Sequence, residues 1–452
     1  VPFGALFLDP GAGKTCCMLY IWRNKSQHHG HVLRMLVLCP TGVIGTWGRE
    51  IAKFTKLDPR YVGLCLGRTA KQRLKVIHDP NVRILVMGYE ALRNEDVFDA
   101  VMKFNPEIGV CDESHRVKAR KSAIAQQARG IFSMIPYRFL MTGSAMPNHP
   151  EDIFYQFLLM DRGETFGIYV TAFRNRFFLM KEFKAKSGKR FFKYDFNPSM
   201  EAEFQEKLSR HSVRKKLEDC EDLPEFIDTI IEVPLSKEQG EHHKRLKNKL
   251  ITWLDTQPDN PVVVKNALTK MLRLNEISSG YMRLEDGSLY RFKDNPRQDA
   301  LIEKINDLKP HKVIIFCVFK ENYEQIREAL DRGKIGFTEI HGGIIGKQKD
   351  INEERFKKDP NIQCCIINPK SGGEGLNLQI AQYSIFYTRN FVDITQPKAR
   401  NRRLGSIKLH KKIVHYHFIA PDTIDEYMYN AVQCKMAVAE NLLDLKKILT
   451  DA

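Results

Sequence analysis

The run Asp9-Pro10-Gly11-Ala12-Gly13-Lys14-Thr15 has the residue types needed to hold a phosphate. It follows an apolar stretch ending at Leu8 and opens a helical pattern. Gly11, Ala12 and Gly13 let the backbone curl, so that N–H groups and a helix N-terminus face an anion. Lys14 supplies a cation for β- and γ-phosphates, and Thr15 a hydroxyl ligand for Mg²⁺. Leu8 stands where the pattern G-x-x-x-x-G-K-[ST] has its first glycine, so the run alone also reads as a turn ending Gly-Lys-Thr. Asp112-Glu113-Ser114-His115 follows a second apolar stretch, Ile108–Cys111. Carboxylates at the C-terminal end of a buried strand lie where open α/β sheets bind ligands. Asp112 is suited to hold Mg²⁺, directly or through water, and Glu113 to orient and deprotonate an attacking water. Alone, the pair also reads as a solvated loop.

Three further stretches complete the set. Gln396, Arg400 and Arg403 lie in a basic segment, with the arginines one helical turn apart and able to point the same way. Cationic fingers at a γ-phosphate accelerate hydrolysis by ~10³–10⁵. The loop from Ser371 to Asn377 contains Gly373 and Gly375, which permit close backbone approach to a phosphate. Thr142-Gly143-Ser144 ends another strand, placed either to sense the acidic pair or simply to cap a turn. The order and separation of these stretches imply a two-lobed, ATP-driven motor.

The elements that must position them alternate. Apolar runs Ala5–Leu8, Met35–Cys39, Ile84–Met87, Ile108–Cys111 and Phe139–Met141 read as buried parallel strands separated by helices. From Tyr169 onward phenylalanines (Phe173, Phe177, Phe178, Phe183, Phe191, Phe192, Phe196) interleave with lysines and arginines. The expectation is a helical, basic insertion with a loop at Lys186–Lys189. Its phenylalanines would pack inward, and its lysines would be available to phosphates. An extended run Ile227–Leu235 follows. Ser236 and Gln239 then have capping-box spacing for a helix to about Leu254. Residues Arg283–Gln298 read as a loop or small hairpin before a helix Asp299–Leu308. Lys312–Phe319, Phe337–His341, Gln363–Ile367, Tyr383–Tyr387 and Ile413–Phe418 form a second strand series, and Thr423–Leu449 reads as a closing helix.

Composition sets the class. The 452 residues suffice for roughly two to four domains. Lys and Arg number 71 against 55 Asp and Glu, a formal net charge of +16 that suits a polyanionic partner, most simply nucleic acid. The 10 cysteines include no C-x-x-C pair, which argues against a disulfide framework or a zinc site. No apolar run has the length of a membrane span, and no signal-peptide pattern is visible. The start at Val1, without methionine and just before the phosphate loop, is that expected of an excised core.

Together these motifs resemble superfamily-two helicases, and within them the Swi/Snf family of double-stranded DNA translocases. Asp9–Thr15 resembles motif I. Leu38-Cys39-Pro40 with Trp47 resembles motif Ia, whose Pro40 and Thr41 are candidate coupling residues, and Tyr89-Glu90 resembles the family's T-Y-E-x-L segment. Asp112–His115 with Arg116 and Lys118 resembles motif II, and Thr142–Asn148 resembles motif III. Val213–Lys216, Leu223-Pro224 and Leu235–Gln239 resemble the family's path between lobes. Gly372–Leu378 resembles motif V, and Gln396, Arg400, Arg403 and Gly405 resemble motif VI. Thr423–Glu426 and Lys435 resemble its closing helix. Ser144-Ala145 in place of Thr-Pro, Ser406 in place of glutamine, and Pro10 inside the phosphate loop depart from the pattern.

The resemblance implies an α/β fold of two RecA-like parallel-sheet lobes in tandem, with helical insertions and a C-terminal helix. The expected divisions are 1–165, 166–222 for the basic insertion, and 223–452. It also implies ATP and Mg²⁺ as cofactors, hydrolysis at the cleft between lobes, and duplex DNA as partner, with forked or single-stranded DNA as further substrates. Ser371, Asn377, Thr142, Gly143 and Ser144 would couple hydrolysis to DNA. No upstream glutamine motif assigns adenine recognition, and no chromatin-reader module is visible. A phage, bacterial or annealing-type member is therefore expected, in the cytoplasm, or in the nucleus if the source is eukaryotic. Two alternatives remain: a strand-separating or annealing helicase on forked DNA or RNA, and a nucleotide-binding clamp without turnover. Retention of Glu113 and both arginines disfavours the clamp.

Overall fold

Short apolar runs bounded by turn residues form two parallel sheets in tandem. The computed structural model describes residues 1–452 except 68, 120–121, 144–149, 185–189, 221–222, 256–260, 285, 345–346, 370–375, 390–400, 403–404 and 434–452. The chain divides into two compact units, Val1–Glu221 and Asp222–Ala452.

In the first unit the strands are β1 (Phe3–Leu8), β2 (Met35–Cys39), β3 (Val62–Leu64), β4 (Ile84–Gly88), β5 (Ile108–Asp112), β6 (Tyr137–Thr142), β7 (Phe178–Lys184), β8 (Arg190–Phe196) and β9 (Ser212–Lys215). Seven of them form one sheet in the order β3-β4-β2-β5-β6-β1-β9, and every pairing in it is parallel. Both faces are covered. Leu36 and Leu38 of β2 enter one core, while Met35, Val37 and Cys39 enter the other. That two-sided burial is why β2, β4 and β5 read as unbroken apolar runs instead of alternating ones.

The expectation of a helical insertion holds at Val170–Phe177 and Glu201–Arg210 and is corrected between them. β7 and β8 form an antiparallel ribbon, with Phe178 opposite Phe196 and Lys184 opposite Arg190. The phenylalanines at its base do pack inward. Phe173, Phe177, Phe178 and Phe204 are buried, with Phe166 stacked on Phe204 at 5.5 Å between ring centroids. Phe192 does not follow them and is exposed.

In the second unit the strands are β10 (Glu225–Glu232), β11 (Tyr281–Arg283), β12 (Leu289–Arg291), β13 (Val313–Phe316), β14 (Phe337–Ile340), β15 (Cys364–Ile367), β16 (Tyr383–Phe386) and β17 (Lys412–Ile419). Six form a sheet ordered β10-β17-β16-β13-β15-β14, again with parallel pairings only. Alternate residues of β13 feed opposite cores, Val313 and Ile315 on one side, Ile314 and Phe316 on the other. β11 and β12 make the small hairpin expected between 283 and 298. The Ser236–Gln239 capping box is present: the Gln239 side chain accepts from the Ser236 N–H at 2.9 Å, and Ser236 Oγ accepts from the Gln239 N–H at 3.4 Å. The closing helix is described over Ile424–Gln433, and its expected continuation lies outside the described residues.

Candidate active site of the first unit

Parallel pairing brings all the strand C-termini of the first sheet to one edge. Asp9–Thr15 after β1, Pro40-Thr41 after β2, Asp112-Glu113 at the end of β5 and Thr142-Gly143 at the end of β6 therefore gather there, the ligand edge of α/β sheets. β5, β6 and β1 are neighbours in that order, so the phosphate loop and the acidic pair flank the β6 terminus.

The loop has the backbone its glycines foretell. Gly11 and Gly13 sit at φ 90° and 86°, in the left-handed region that side-chain-bearing residues avoid. Gly13 caps helix α1 (Lys14–His29). Asp9 Oδ2 accepts from the Leu217 N–H at 2.9 Å, tying the loop to the segment after β9. Lys14 Nζ donates to the Leu8 carbonyl at 2.8 Å, which folds the ammonium back across the loop.

Asp112 is buried, and each carboxylate oxygen is held. Oδ2 accepts from the indole Nε1 of Trp47 at 2.9 Å, and Oδ1 from the Glu113 N–H at 3.0 Å. Tyr89 Oη donates to the Asp112 carbonyl at 2.7 Å. Burial and the neighbouring Glu113 push the Asp112 carboxyl up to about 7, against the lowering influence of Trp47 and Lys14. Glu113 adopts φ 52°, left-handed for a residue with a side chain, and its Oε2 accepts from Thr142 Oγ1 at 3.1 Å. His115 Nδ1 lies 3.3 Å from the same hydroxyl and 3.5 Å from Glu113 Oε2. With the single hydroxyl hydrogen of Thr142 directed to Glu113, the complementary tautomer of His115 carries its proton on Nδ1. Ser114 Oγ donates to Gln156 Oε1 at 2.7 Å, and Gln156 Nε2 donates to the Asp152 carbonyl at 2.9 Å, fixing the turn to helix Ile153–Asp161.

A Cβ added at Gly143 would lie 2.9 Å from Pro10 Cδ, so the end of β6 and the phosphate loop touch. Pro10, a departure from the sequence pattern, is thus one half of a contact that Gly143 makes room for. Thr41 Oγ1 donates to Glu90 Oε2 at 3.1 Å, and Arg116 reaches Glu90 Oε1 at 3.2 Å. Pro40 precedes the short turn Thr41–Val43.

Sequence reasoning gave Trp47 and Tyr89 no role at the acidic pair, and it passed over Gln156. Trp47 belongs to an apolar helical stripe with Ile44 and Ile51. The available signal was chemical: a buried indole N–H needs an acceptor. Ser144, Ser371, Gly373, Gly375, Gln396, Arg400 and Arg403 lie outside the described residues. Their neighbours in the second unit are described. The Asn377 N–H donates to Glu353 Oε1 at 3.3 Å, and its Oδ1 accepts from the Gln379 N–H at 3.3 Å. Asn401 is fully buried, donating to Ser384 Oγ at 3.2 Å and lying 3.1 Å from His415 Nε2.

Among the described residues no group of three or more His, Cys, Asp or Glu is arranged to hold a metal. A pair of adjacent carboxylates beside a phosphate loop fits Mg²⁺, which is commonly held by one or two carboxylates together with substrate phosphates. No helix among the described residues is long and apolar enough to cross a membrane.

A glycine-turned loop at a helix N-terminus, beside an Asp-Glu pair on a parallel sheet and followed by a second parallel sheet, defines a helicase-like ATPase core. Residues 3–280 match the SNF2-related domain and residues 296–405 the helicase conserved C-terminal domain. The chain belongs to the SNF2-related family and is an ATP-hydrolysing enzyme of the helicase superfamily two. It is 23% identical over 451 residues to the putative protein p41 of Acyrthosiphon pisum secondary endosymbiont phage 1, covering 97% of this chain and 93% of that protein. It is also 23% identical to the uncharacterized ATP-dependent helicase MG018 of Mycoplasma genitalium, covering 98% of this chain but 40% of that protein. The chain thus spans less than half the length of the Mycoplasma relative. The Hef helicase domain of Pyrococcus furiosus superposes with a TM-score of 0.55 at 14% identity, over 96% of this chain and 95% of that one, which establishes the tandem RecA-like fold.

Proposed function

We propose that this chain is a DNA-dependent ATPase that translocates along duplex DNA. The observation that carries the chemistry is the linked set Lys14, Asp112, Glu113 and Thr142, gathered at one sheet edge. Gly11, Ala12, Gly13 and Lys14 bind the nucleotide phosphates. Thr15 and Asp112 hold Mg²⁺, which when bound neutralises developing phosphate charge. Glu113 accepts the proton of the attacking water, and the Thr142 hydroxyl fixes its carboxylate. Gln396, Arg400 and Arg403 have the roles their motif implies, orienting and charge-stabilising the γ-phosphoryl group. The net charge of +16 supports a polyanionic track.

The deciding experiment is the ATPase rate with no nucleic acid, single-stranded DNA, duplex DNA, forked DNA and RNA. Duplex DNA should stimulate turnover most. Equal rates with and without DNA would remove the reading. Glu113→Gln should lower kcat by at least ~10² while nucleotide still binds, since a positioned general base typically contributes ~10²–10⁴. Phosphate release and nucleotide titration check the two halves.

A further inference from the structure

The base of the β7–β8 ribbon joins the core of the first unit, while its exposed part meets neither that core nor the acidic site. Its base is anchored. Phe178 is buried against Phe196 at 5.6 Å between centroids, Phe196 meets Phe204 at 5.2 Å, and the Arg174 guanidinium lies 4.5 Å over the Tyr194 ring. Beyond the base, described side chains are exposed on both faces. Leu179 is 50% exposed, while Met180 and Phe192 are 60% and 50% exposed. Leu179 pairs with Asp195, Met180 with Tyr194 and Glu182 with Phe192, so the pleat places Leu179 on one face and Met180 and Phe192 on the other. A ribbon serving only to cover the core would hide one of these faces.

Its charge is one-sided. Residues 178–196 contain six lysines and arginines against Glu182 and Asp195. Lys181 stands opposite Lys193 and Lys184 opposite Arg190, and like charges opposite one another destabilise a strand pair. Asp195 relieves one of them, meeting Lys181 at 2.8 Å. The two basic pairs are three positions apart and so fall on opposite faces of the pleat. Strands of seven residues span about 23 Å, and a major groove about 12 Å wide admits a two-stranded ribbon between two phosphate walls.

We propose that this ribbon is a second duplex-DNA contact of the first unit, with its basic positions on phosphates and Phe192 against the groove. The inference rests on the DNA-dependent reading above. The test uses the full chain, measuring duplex affinity by fluorescence anisotropy across a salt series. In one variant Lys184, Arg190 and Lys193 are all changed to Gln; a second carries Phe192→Ala, which leaves the buried base intact.

The charge variant should bind at least tenfold more weakly, and its log K against log salt should flatten by about 2 to 3, near 0.9 per phosphate contact. Phe192→Ala should weaken binding severalfold with the slope retained. A parent that binds duplex DNA while both variants match it in affinity and slope overturns the ribbon contact alone, and would direct the surface to a protein partner. A parent with no duplex affinity overturns both this contact and the DNA-dependent reading.

Discussion

Glu113 is held in a conformation its backbone does not favour, and the hydroxyl of Thr142 donates to its carboxylate at 3.1 Å. A left-handed non-glycine residue costs on the order of 1 kcal/mol and persists where the surroundings over-determine it. Here the β5 terminus, the Ser114–Gln156 bond and the Thr142 hydroxyl supply that constraint. Thr142 is fully buried, so Thr142→Val keeps its shape and removes the hydroxyl that donates to Glu113 and faces His115. The carboxylate then loses a hydrogen bond to a charged group, about 1.5–3 kcal/mol. The expected outcome is a fall in kcat of roughly tenfold or more, since ~1.4 kcal/mol corresponds to a factor of ten, with the nucleotide KM little changed. Thr142→Ser should restore most of the rate. Steady-state kinetics of the three proteins decide it, and a change confined to KM would place Thr142 in nucleotide binding instead.

At the scale of elements, the contact between the β6 terminus and the phosphate loop is the joint most open to test. Gly143→Ala places a methyl 2.9 Å from Pro10 Cδ, closer than real Cβ contacts come. The loop must then shift, and nucleotide affinity should fall about tenfold, at a strain of order 1–3 kcal/mol. Pro10→Ala in the same chain should recover much of it, because the two residues share one space. A double-mutant cycle by nucleotide titration reports the coupling, and strict additivity would show that the contact does not act on the loop.

The elements that were legible and those that were not differ physically. β2, β4 and β5 read directly because burial on both faces leaves no polar position in the run. β3 has only three residues, and β9, Ser212–Lys215, is mostly exposed and polar, so neither produces an apolar signal. The ribbon reads as helix in the sequence because lysine and arginine are good helix formers. Its Phe and Tyr content and the small, glycine-containing sequence Lys186-Ser187-Gly188-Lys189 are the stronger hairpin signs. Lys14, Asp112 and Glu113 were legible by type and spacing. Trp47 and Gln156 were not, since their partners lie 65 and 42 residues away.

Over the whole molecule, each unit carries its own two-faced sheet, and the second is pinned by a buried charge pair. Arg297 donates to Asp425 and to the Tyr387 carbonyl, the latter at 2.8 Å, and Asn275 Nδ2 donates to Asp425 at 2.8 Å. The pair joins helices Pro261–Ser278, Pro296–Asp307 and Ile424–Gln433 to the end of β16. Both side chains are 2% exposed, so solvent cannot replace a lost partner. Arg297→Met takes the hydrogen-bonded cation from the buried Asp425 carboxylate, which keeps Asn275 and the nearby Arg389 charge, a cost of about 3–5 kcal/mol. Arg297→Met with Asp425→Asn should recover part of it by removing the buried charge. Hydrogen exchange should show protection falling in β13, β16 and β17 while β1, β2 and β5 keep theirs, because no residue of the first sheet belongs to this network. Equal loss in both sheets would mean that the two units unfold as one, and no loss would mean that the pair contributes nothing to stability.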